Sequence, residues 1–390
     1  MKIKESVYYV GVNDRTKHRF EGLWALPHGV SYNAYLIEDD KGVALVDTVD
    51  VAYFSEFLEK IHDAIGDRPV DYVIINHMEP DHSGSLALIR QVYPNIRVVG
   101  NKKTFDMLRG FYGECSTCNV EVKEGSVLDL GKHQLKFYMT PMLHWPETMM
   151  TFDETDHILF SGDAFGCFGA LNGQVVDTHL DTGMYWSEME RYYACILGKY
   201  AAPVQTGLKK LAGLDIHMVC STHGPVWETE KDHAIETYRR FATGETENGL
   251  VICYGSMYGN TRRVAEAIAE GAAAAGMRKI VVYDMSFAKM SEVLADVFRY
   301  GSLAIGGPTY NGGLFPPVDN LLKHLSERVV TGRKLACFGG YAWSGQVLKQ
   351  MAVYTDKMKM QLVGEGLEWK QGPSAETFQT ARELGRLLAE

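Results

Sequence analysis

Hydrophobic and polar positions alternate in two different styles along this chain. Before about residue 240, short apolar runs are interspersed with stretches of helical spacing. Residues 34–37 and 43–46 are apolar runs around the charged turn Glu38-Asp39-Asp40-Lys41-Gly42, a pattern that predicts a β-hairpin. Residues 53–65 carry apolar side chains at helical spacing and stop at Gly66. Residues 71–76 (DYVIIN) predict a short buried strand and residues 86–92 a helix, with further strands at 97–99, 135–138, 158–160 and 217–220. Mixed strands, helices and hairpins imply an α/β sandwich with a mixed sheet.

The pattern breaks at residues 243–249 (TGETENG), polar and glycine-containing, where a linker is expected. Beyond it a regular βα alternation sets in: strands at 250–254, 279–284, 302–305 and 334–338, and a helix at 261–275 ending before Gly276. Strands spaced by helices imply a parallel, doubly wound sheet, whose ligands sit at the carboxyl ends of its strands. The expected domains are residues 1–245 and 250–390.

Charge sharpens this division. The net charge is −10, but residues 1–249 hold 23 Lys+Arg against 36 Asp+Glu, while residues 250–390 hold 16 against 13. Twelve of the 13 histidines also precede residue 250, leaving only His324 after it, so the first half is the better place for a metal. An acidic chain without basic clusters is a poor nucleic-acid binder. No apolar run reaches the ~18 residues of a membrane span. The first residues lack the apolar core of a secretory signal. Seven scattered cysteines fit reduced thiols. A soluble, cytoplasmic protein is expected.

The sharpest motif is His77-Met78-Glu79-Pro80-Asp81-His82, directly after the predicted strand at 71–76. In an extended segment His77, Glu79 and Asp81 share one side, and Pro80 keeps the segment out of a helix interior. Two imidazoles and two carboxylates within six residues are costly to gather without a cation. The plainer alternative is a polar turn with Asp81 or Ser83 as a helix cap. Three more segments follow other predicted strands: His144 in Pro141-Met142-Leu143-His144-Trp145-Pro146, Asp163 in Phe160-Ser161-Gly162-Asp163, and His223 in Cys220-Ser221-Thr222-His223-Gly224-Pro225. Four histidines and three carboxylates suffice for two ions if one carboxylate bridges. The absence of cysteine from the set argues against structural zinc, yet spacing alone leaves both iron and di-zinc hydrolase chemistry open.

In the second half, the strand at 250–254 leads into Gly255-Ser256-Met257-Tyr258-Gly259-Asn260-Thr261 and then a helix. Backbone N–H groups, the helix dipole and hydroxyl side chains make an anion site there. Without a lysine it is no nucleotide-hydrolysing loop, and a phosphate monoester held by neutral donors suits FMN. Two later strands end in Gly306-Gly307-Pro308-Thr309-Tyr310-Asn311-Gly312-Gly313 and in Phe338-Gly339-Gly340-Tyr341-Ala342-Trp343-Ser344-Gly345. Glycines let backbone groups approach a planar ring that aromatics flank.

These segments resemble known families. The first-half set is similar to the metallo-β-lactamase superfamily, whose opening motif is usually His-x-His-x-Asp-His; Glu79 here replaces the second histidine. That replacement, with the later His, Asp and His, resembles the flavodiiron proteins, and the three glycine–aromatic loops resemble the FMN site of flavodoxins, with Ala342 where many relatives have glycine. The resemblance implies an N-terminal metallo-β-lactamase-like αββα sandwich and a C-terminal flavodoxin-like doubly wound parallel sheet. It implies one iron on His77, Glu79, His144 and Asp163, and another on Asp81, His82, His223 and the bridging Asp163. His82 is not an iron ligand in every member. Tyr193 resembles a family tyrosine that donates a hydrogen bond to the bound gas; a core tyrosine is the alternative. The implied activity passes electrons from an external donor, rubredoxin or a reduced deazaflavin coenzyme, through FMN to two irons that reduce O2 to water or NO to N2O. A head-to-tail homodimer, or a dimer of dimers, is implied as well. A di-zinc hydrolase with a flavodoxin-like docking domain is the rival reading, which Glu79 opposes. A non-enzymatic electron carrier is another, opposed by the seven ligand candidates. The sole CxxC, Cys115 to Cys118, has no second pair, so no fused rubredoxin is expected and the two thiols read as incidental.

Overall fold

A computed structural model describes residues 1–113 and 119–390, so Cys115 and Cys118 lie outside the described residues. The chain divides into two compact units, residues 1–192 with 200–239, and residues 193–199 with 240–390. Among the described residues, no helix is long and apolar enough to cross a membrane.

The first unit is built on two sheets. In one, the strand order is Lys2–Lys4, Val7–Tyr9, Tyr35–Glu38, Val43–Val46, Tyr72–Ile74, Arg97–Gly100 and Asn119–Glu121. The expected hairpin is present, with Tyr35 paired to Val46 and Glu38 to Val43. Pairing turns parallel from Val43–Val46 onward, and those four residues are fully buried, as strands covered on both faces must be. The second sheet runs Val127–Asp129, Gln134–Met139, Met149–Asp153, Ile158–Gly162 and Met218–Ser221, and only its last pair is parallel. That parallel pair matters because Asp163 and His223 leave its carboxyl ends together.

The second unit carries a parallel sheet ordered Ile280–Asp284, Glu247–Tyr254, Tyr300–Gly306, Lys334–Tyr341 and Leu367–Lys370, with the short Gln361–Leu362 beside it. This is the 2-1-3-4-5 order of the flavodoxin-like fold. Helices Asn260–Ala274 and Ala375–Ala389 pack closely enough that a Cβ on Gly271 would lie 2.0 Å from the Arg382 carbonyl oxygen, and one on Gly385 2.0 Å from that of Ile268. Glycine at both positions permits this approach.

The stretch expected as a linker is ordered instead. Helix Lys231–Thr243 runs into it, Gly244 turns at φ 75°, and strand Glu247–Tyr254 begins inside it. Glu247 is held by Lys279 at 2.5 Å and by Arg299 at 2.8 Å, so its polarity reflects ion pairing at a strand start.

Candidate metal centre and flavin cleft

Pro80 opens a single helical turn, Pro80–Ser83, directly after the strand Tyr72–Ile74 and its exit residues. Glu79 occupies the cap position but makes no capping hydrogen bond, leaving its carboxylate for other partners. The cap reading of Asp81 and Ser83 is therefore replaced: both lie inside the turn. The turn also separates Asp81 from His77 and Glu79, which an extended segment would have kept on one side.

Two adjoining clusters result. His77, Glu79, His144 and Asp163 form one, and Asp81, His82 and His223 the other; six of the seven are buried, and the Glu79 side chain is 12% exposed. In the first, His77 Nε2 lies 3.3 Å from both Glu79 Oε2 and His144 Nε2, and His144 Nε2 lies 2.9 Å from Asp163 Oδ2. In the second, His82 Nε2 and His223 Nε2 each lie 3.4 Å from Asp81 Oδ2. Asp163 belongs to both: Oδ1 lies 3.0 Å from His82 Nε2 and 3.7 Å from His223 Nε2, while Oδ2 faces His77 and His144.

The outer nitrogens are also arranged. His77 Nδ1 meets Glu147 Oε1 at 2.7 Å, and His223 Nδ1 donates to the Ser31 carbonyl at 2.7 Å. Both bonds leave Nε2 bare toward the interior, the tautomer a metal requires.

Electrostatics inside the cluster are strained. Burial disfavours charge on His82 and His144, yet the surrounding carboxylates win and raise both pKa values to about 9. Burial and the neighbouring His82 push His223 down to about 4. Burial pushes Asp81 up, helped by Glu79 and Asp163. Both Asp81 carboxylate oxygens, both His82 nitrogens and His223 Nε2 are buried without a hydrogen-bond partner. Orphaned donors and acceptors of this kind are costly, and a cation bound by deprotonated imidazoles and carboxylates removes the cost. The donor set therefore fits metal, and its oxygen–nitrogen mixture fits iron.

At the carboxyl ends of the parallel sheet lies a cavity of about 600 Å³. Its walls include Ser256, Met257, Tyr258, Asn260, Thr261, Pro308, Thr309, Tyr310, Asn311, Gly312, Gly340, Tyr341, Ala342, Trp343 and Ser344. Gly259 and Gly345, expected with these residues, lie in the same loops but not in the walls: Gly259 caps the helix Asn260–Ala274 at φ 87°, and a Cβ on Gly345 would strike the Glu368 carboxylate at 2.4 Å. Ser256 Oγ accepts from the Gly259 amide at 3.1 Å, holding the loop against the helix N-terminus. Tyr258 and Trp343 are 91% and 87% exposed, so neither ring belongs to the core. Trp369 also lines the cavity, and its buried Nε1–H has no hydrogen-bond partner. That nitrogen packs against Gly340, whose added Cβ would lie 2.8 Å from it, so Trp369 gives the cleft its ring and not its donor.

A family model described as the ODP family beta lactamase matches residues 30–224, and one described as flavodoxin matches residues 252–385. The chain is 31% identical over 393 residues to a nitric oxide reductase of Moorella thermoacetica, covering 99% of this chain and 97% of the relative. It is 31% identical over 396 residues to an anaerobic nitric oxide reductase flavorubredoxin of Escherichia coli, covering 99% and 81%. The structure matches that of a flavodiiron protein from Giardia intestinalis with a TM-score of 0.94 at 28% identity, covering 100% of this chain and 95% of the other. It matches rubredoxin oxygen:oxidoreductase from Desulfovibrio gigas with a TM-score of 0.95 at 26% identity, covering 100% and 97%.

The chain belongs to the flavodiiron proteins.

Membership implies iron for the first unit, and the flavodoxin domain implies FMN for the second. Within this flavodiiron protein the two adjacent tyrosines, Tyr192 and Tyr193, have different neighbours. Tyr193 packs at a tilt against Phe241 and edge-on against Phe298, at centroid distances of 5.2 and 6.1 Å, the surroundings of a core tyrosine. Tyr192 instead has its ring 5.6 Å from that of His223, and its buried hydroxyl has no hydrogen-bond partner. The helix Gly183–Tyr192 passes into a π-helical segment, Tyr193–Leu197, which shifts the phase of the side chains at this junction. Glu147 and Trp369 were not among the sequence candidates. Glu147 follows His144 by three residues in Trp145-Pro146-Glu147, a carboxylate in a ligand loop that could have been noticed. Trp369 sits on a strand that the sequence pattern does not announce.

Proposed function

We propose that this flavodiiron protein is an oxidoreductase passing electrons from an external donor, by way of FMN, to a two-iron centre that reduces O2 to water or NO to N2O. The observation carrying this reading is Asp163, whose two carboxylate oxygens face two separate imidazole–carboxylate clusters in one buried pocket. A bridging carboxylate between two ligand sets is the arrangement of a two-metal site. His77, Glu79, His144 and Asp163 would hold one iron. Asp81, His82, His223 and Asp163 would hold the other. When bound, the irons supply electrons and open coordination positions to the gas, and the flavin supplies them with electrons.

The protein's own residues do the remaining work. Glu147 and the Ser31 carbonyl orient His77 and His223, so that two ligands arrive preorganised. Phe20 packs edge-on against His223 at 5.3 Å, and Trp145 against His77 at 5.1 Å; these rings keep water away from the ligands. Tyr192 holds a hydroxyl proton in that dry region, available to a ligand oxygen. In the second unit, Ser256, Thr261 and the helix N-terminus receive the phosphate, and Tyr258 and Trp343 flank the ring.

The family resemblance and the charge asymmetry between residues 1–249 and 250–390 support a head-to-tail homodimer, in which one copy's flavin domain meets its partner's metal domain. Rubredoxin is the donor named for the Desulfovibrio gigas relative, and it is proposed here as the donor class.

The test is anaerobic stopped-flow on iron- and FMN-loaded protein, mixed after reduction with O2 or NO at equal concentration. Rapid oxidation of flavin and iron by at least one gas is expected, with water or N2O as product. Zinc without iron in protein purified anaerobically from iron-replete cells would overturn the reading in favour of a hydrolase.

A further inference from the structure

Away from the proposed iron ligands, His157, Asp215 and His217 bring ligand atoms together at the surface of the first unit. Their side chains are 35%, 74% and 55% exposed. His217 Nε2 lies 3.1 Å from Asp215 Oδ2, and His157 Nδ1 lies 3.6 Å from the same oxygen. The two imidazole rings are stacked, with centroids 4.5 Å apart and planes 26° apart.

We propose that His157, Asp215 and His217 form a separate binding site for a divalent transition ion of the zinc class. Bonds of ~2.0–2.1 Å in a tetrahedral site place neighbouring ligand atoms about 3.3 Å apart, close to the spacings around Asp215 Oδ2. Two imidazoles and one carboxylate are a zinc-type donor set, and the exposure leaves the fourth position to water. His157 Nδ1 is also 2.9 Å from the Asp215 carbonyl oxygen. Binding through Nδ1 moves that ring proton to Nε2 and exchanges the carbonyl bond for a metal bond, so no net proton is released by this ring. The negative excess of residues 1–249 adds a favourable field for a cation.

The position in the fold gives the site a consequence. His157 immediately precedes strand Ile158–Gly162, and His217 immediately precedes strand Met218–Ser221. The two strands pair in parallel, Ile158 with Met218 and Gly162 with Ser221, and the His217 amide donates to the His157 carbonyl at 2.9 Å. Asp163 and His223 leave the opposite ends of the same two strands. At ~3.3 Å per residue, the six residue steps from His157 to Asp163 separate the surface site from the proposed iron ligands by about 20 Å. An ion on the two histidines would therefore cross-link the amino ends of the strand pair whose carboxyl ends carry Asp163 and His223.

The test titrates iron- and FMN-loaded protein with Zn2+ by calorimetry and measures iron content afterwards. One saturable equivalent without loss of iron is expected, weakened about tenfold or more by His157→Ala or His217→Ala, since losing a ligand costs at least as much as losing its support. Asp215→Asn, which keeps the side chain's shape, should weaken it similarly and serves if a histidine variant folds poorly. Slower amide exchange at Leu159 and Val219 with zinc present is the independent readout. The proposal is overturned if no equivalent saturates, if it survives all three substitutions, or if zinc enters only as iron leaves.

Discussion

His77 Nδ1 and Glu147 Oε1 lie 2.7 Å apart, and neither side chain has any solvent exposure. The same carboxylate oxygen accepts the Met78 amide at 2.9 Å, so Glu147 fixes both the ring of His77 and the backbone beside it. The hydrogen bond to His77, outweighed in size only by burial, draws the Glu147 pKa below the usual carboxylate range. A charged partner on the outer nitrogen makes His77 a better metal ligand.

Glu147→Gln should therefore retain the fold while weakening metal retention, and Glu147→Ala should weaken it further. Supporting groups of this kind are worth ~10–100-fold in metal affinity. Iron per chain remaining after a timed chelator challenge is the measurement; unchanged retention in both variants would contradict the role.

Tyr192 and Tyr193 are adjacent but face different surroundings. Tyr192→Phe removes a buried hydroxyl beside His223 and should slow reoxidation of the reduced protein by NO or O2. Removal of a positioned proton donor typically costs ~10²-fold or more when that donor is used in the rate-limiting step. Tyr193→Phe, among Phe241 and Phe298, should leave the rate unchanged. Stopped-flow comparison of the two variants decides; an equal effect would sink the distinction.

Gly271→Ala places a methyl group 2.0 Å from the Arg382 carbonyl, against backbone that cannot swing aside. Overpacking of this sort costs about 1–3 kcal/mol. A lower urea midpoint for the second unit, followed by far-UV circular dichroism, is expected.

His133 is bonded to Asp153 at 2.8 Å, and that bond is the chief cause raising the imidazole pKa above its ordinary value. A folded pKa above the unfolded value of ~6.5 means the contribution is complete below that pH and is lost as pH rises through the folded pKa. His133→Asn should thus lower the melting temperature more at about pH 5.5 than at about pH 9. A gap that widens with rising pH would contradict the pairing.

Much of this molecule is readable in one dimension. The sequence alone determined that a cluster of potential metal ligands follows the strand at 71–76, because four of them crowd into His77 to His82 with a proline between them. It also determined the parallel sheet of the second half and the three loops of the flavin cleft, because buried parallel strands read as unbroken apolar runs that end in glycine. Those signals are local: a ligand's chemistry and a strand's burial are written in a few consecutive residues.

Tertiary structure decided the rest. Nothing near Asp163 in the chain marks its two oxygens as facing different clusters; that follows from the parallel pairing of Ile158–Gly162 with Met218–Ser221, which delivers Asp163 and His223 side by side. Tyr192 and Tyr193 face different surroundings because successive helical residues point about 100° apart, and which of the two meets His223 is set by how the helix Gly183–Tyr192 packs. Glu147 and Trp369 were likewise assigned by neighbours distant in sequence. Residue identity sets what a side chain can do, but direction is set by backbone phase and strand register, and both are settled only when the sheets close.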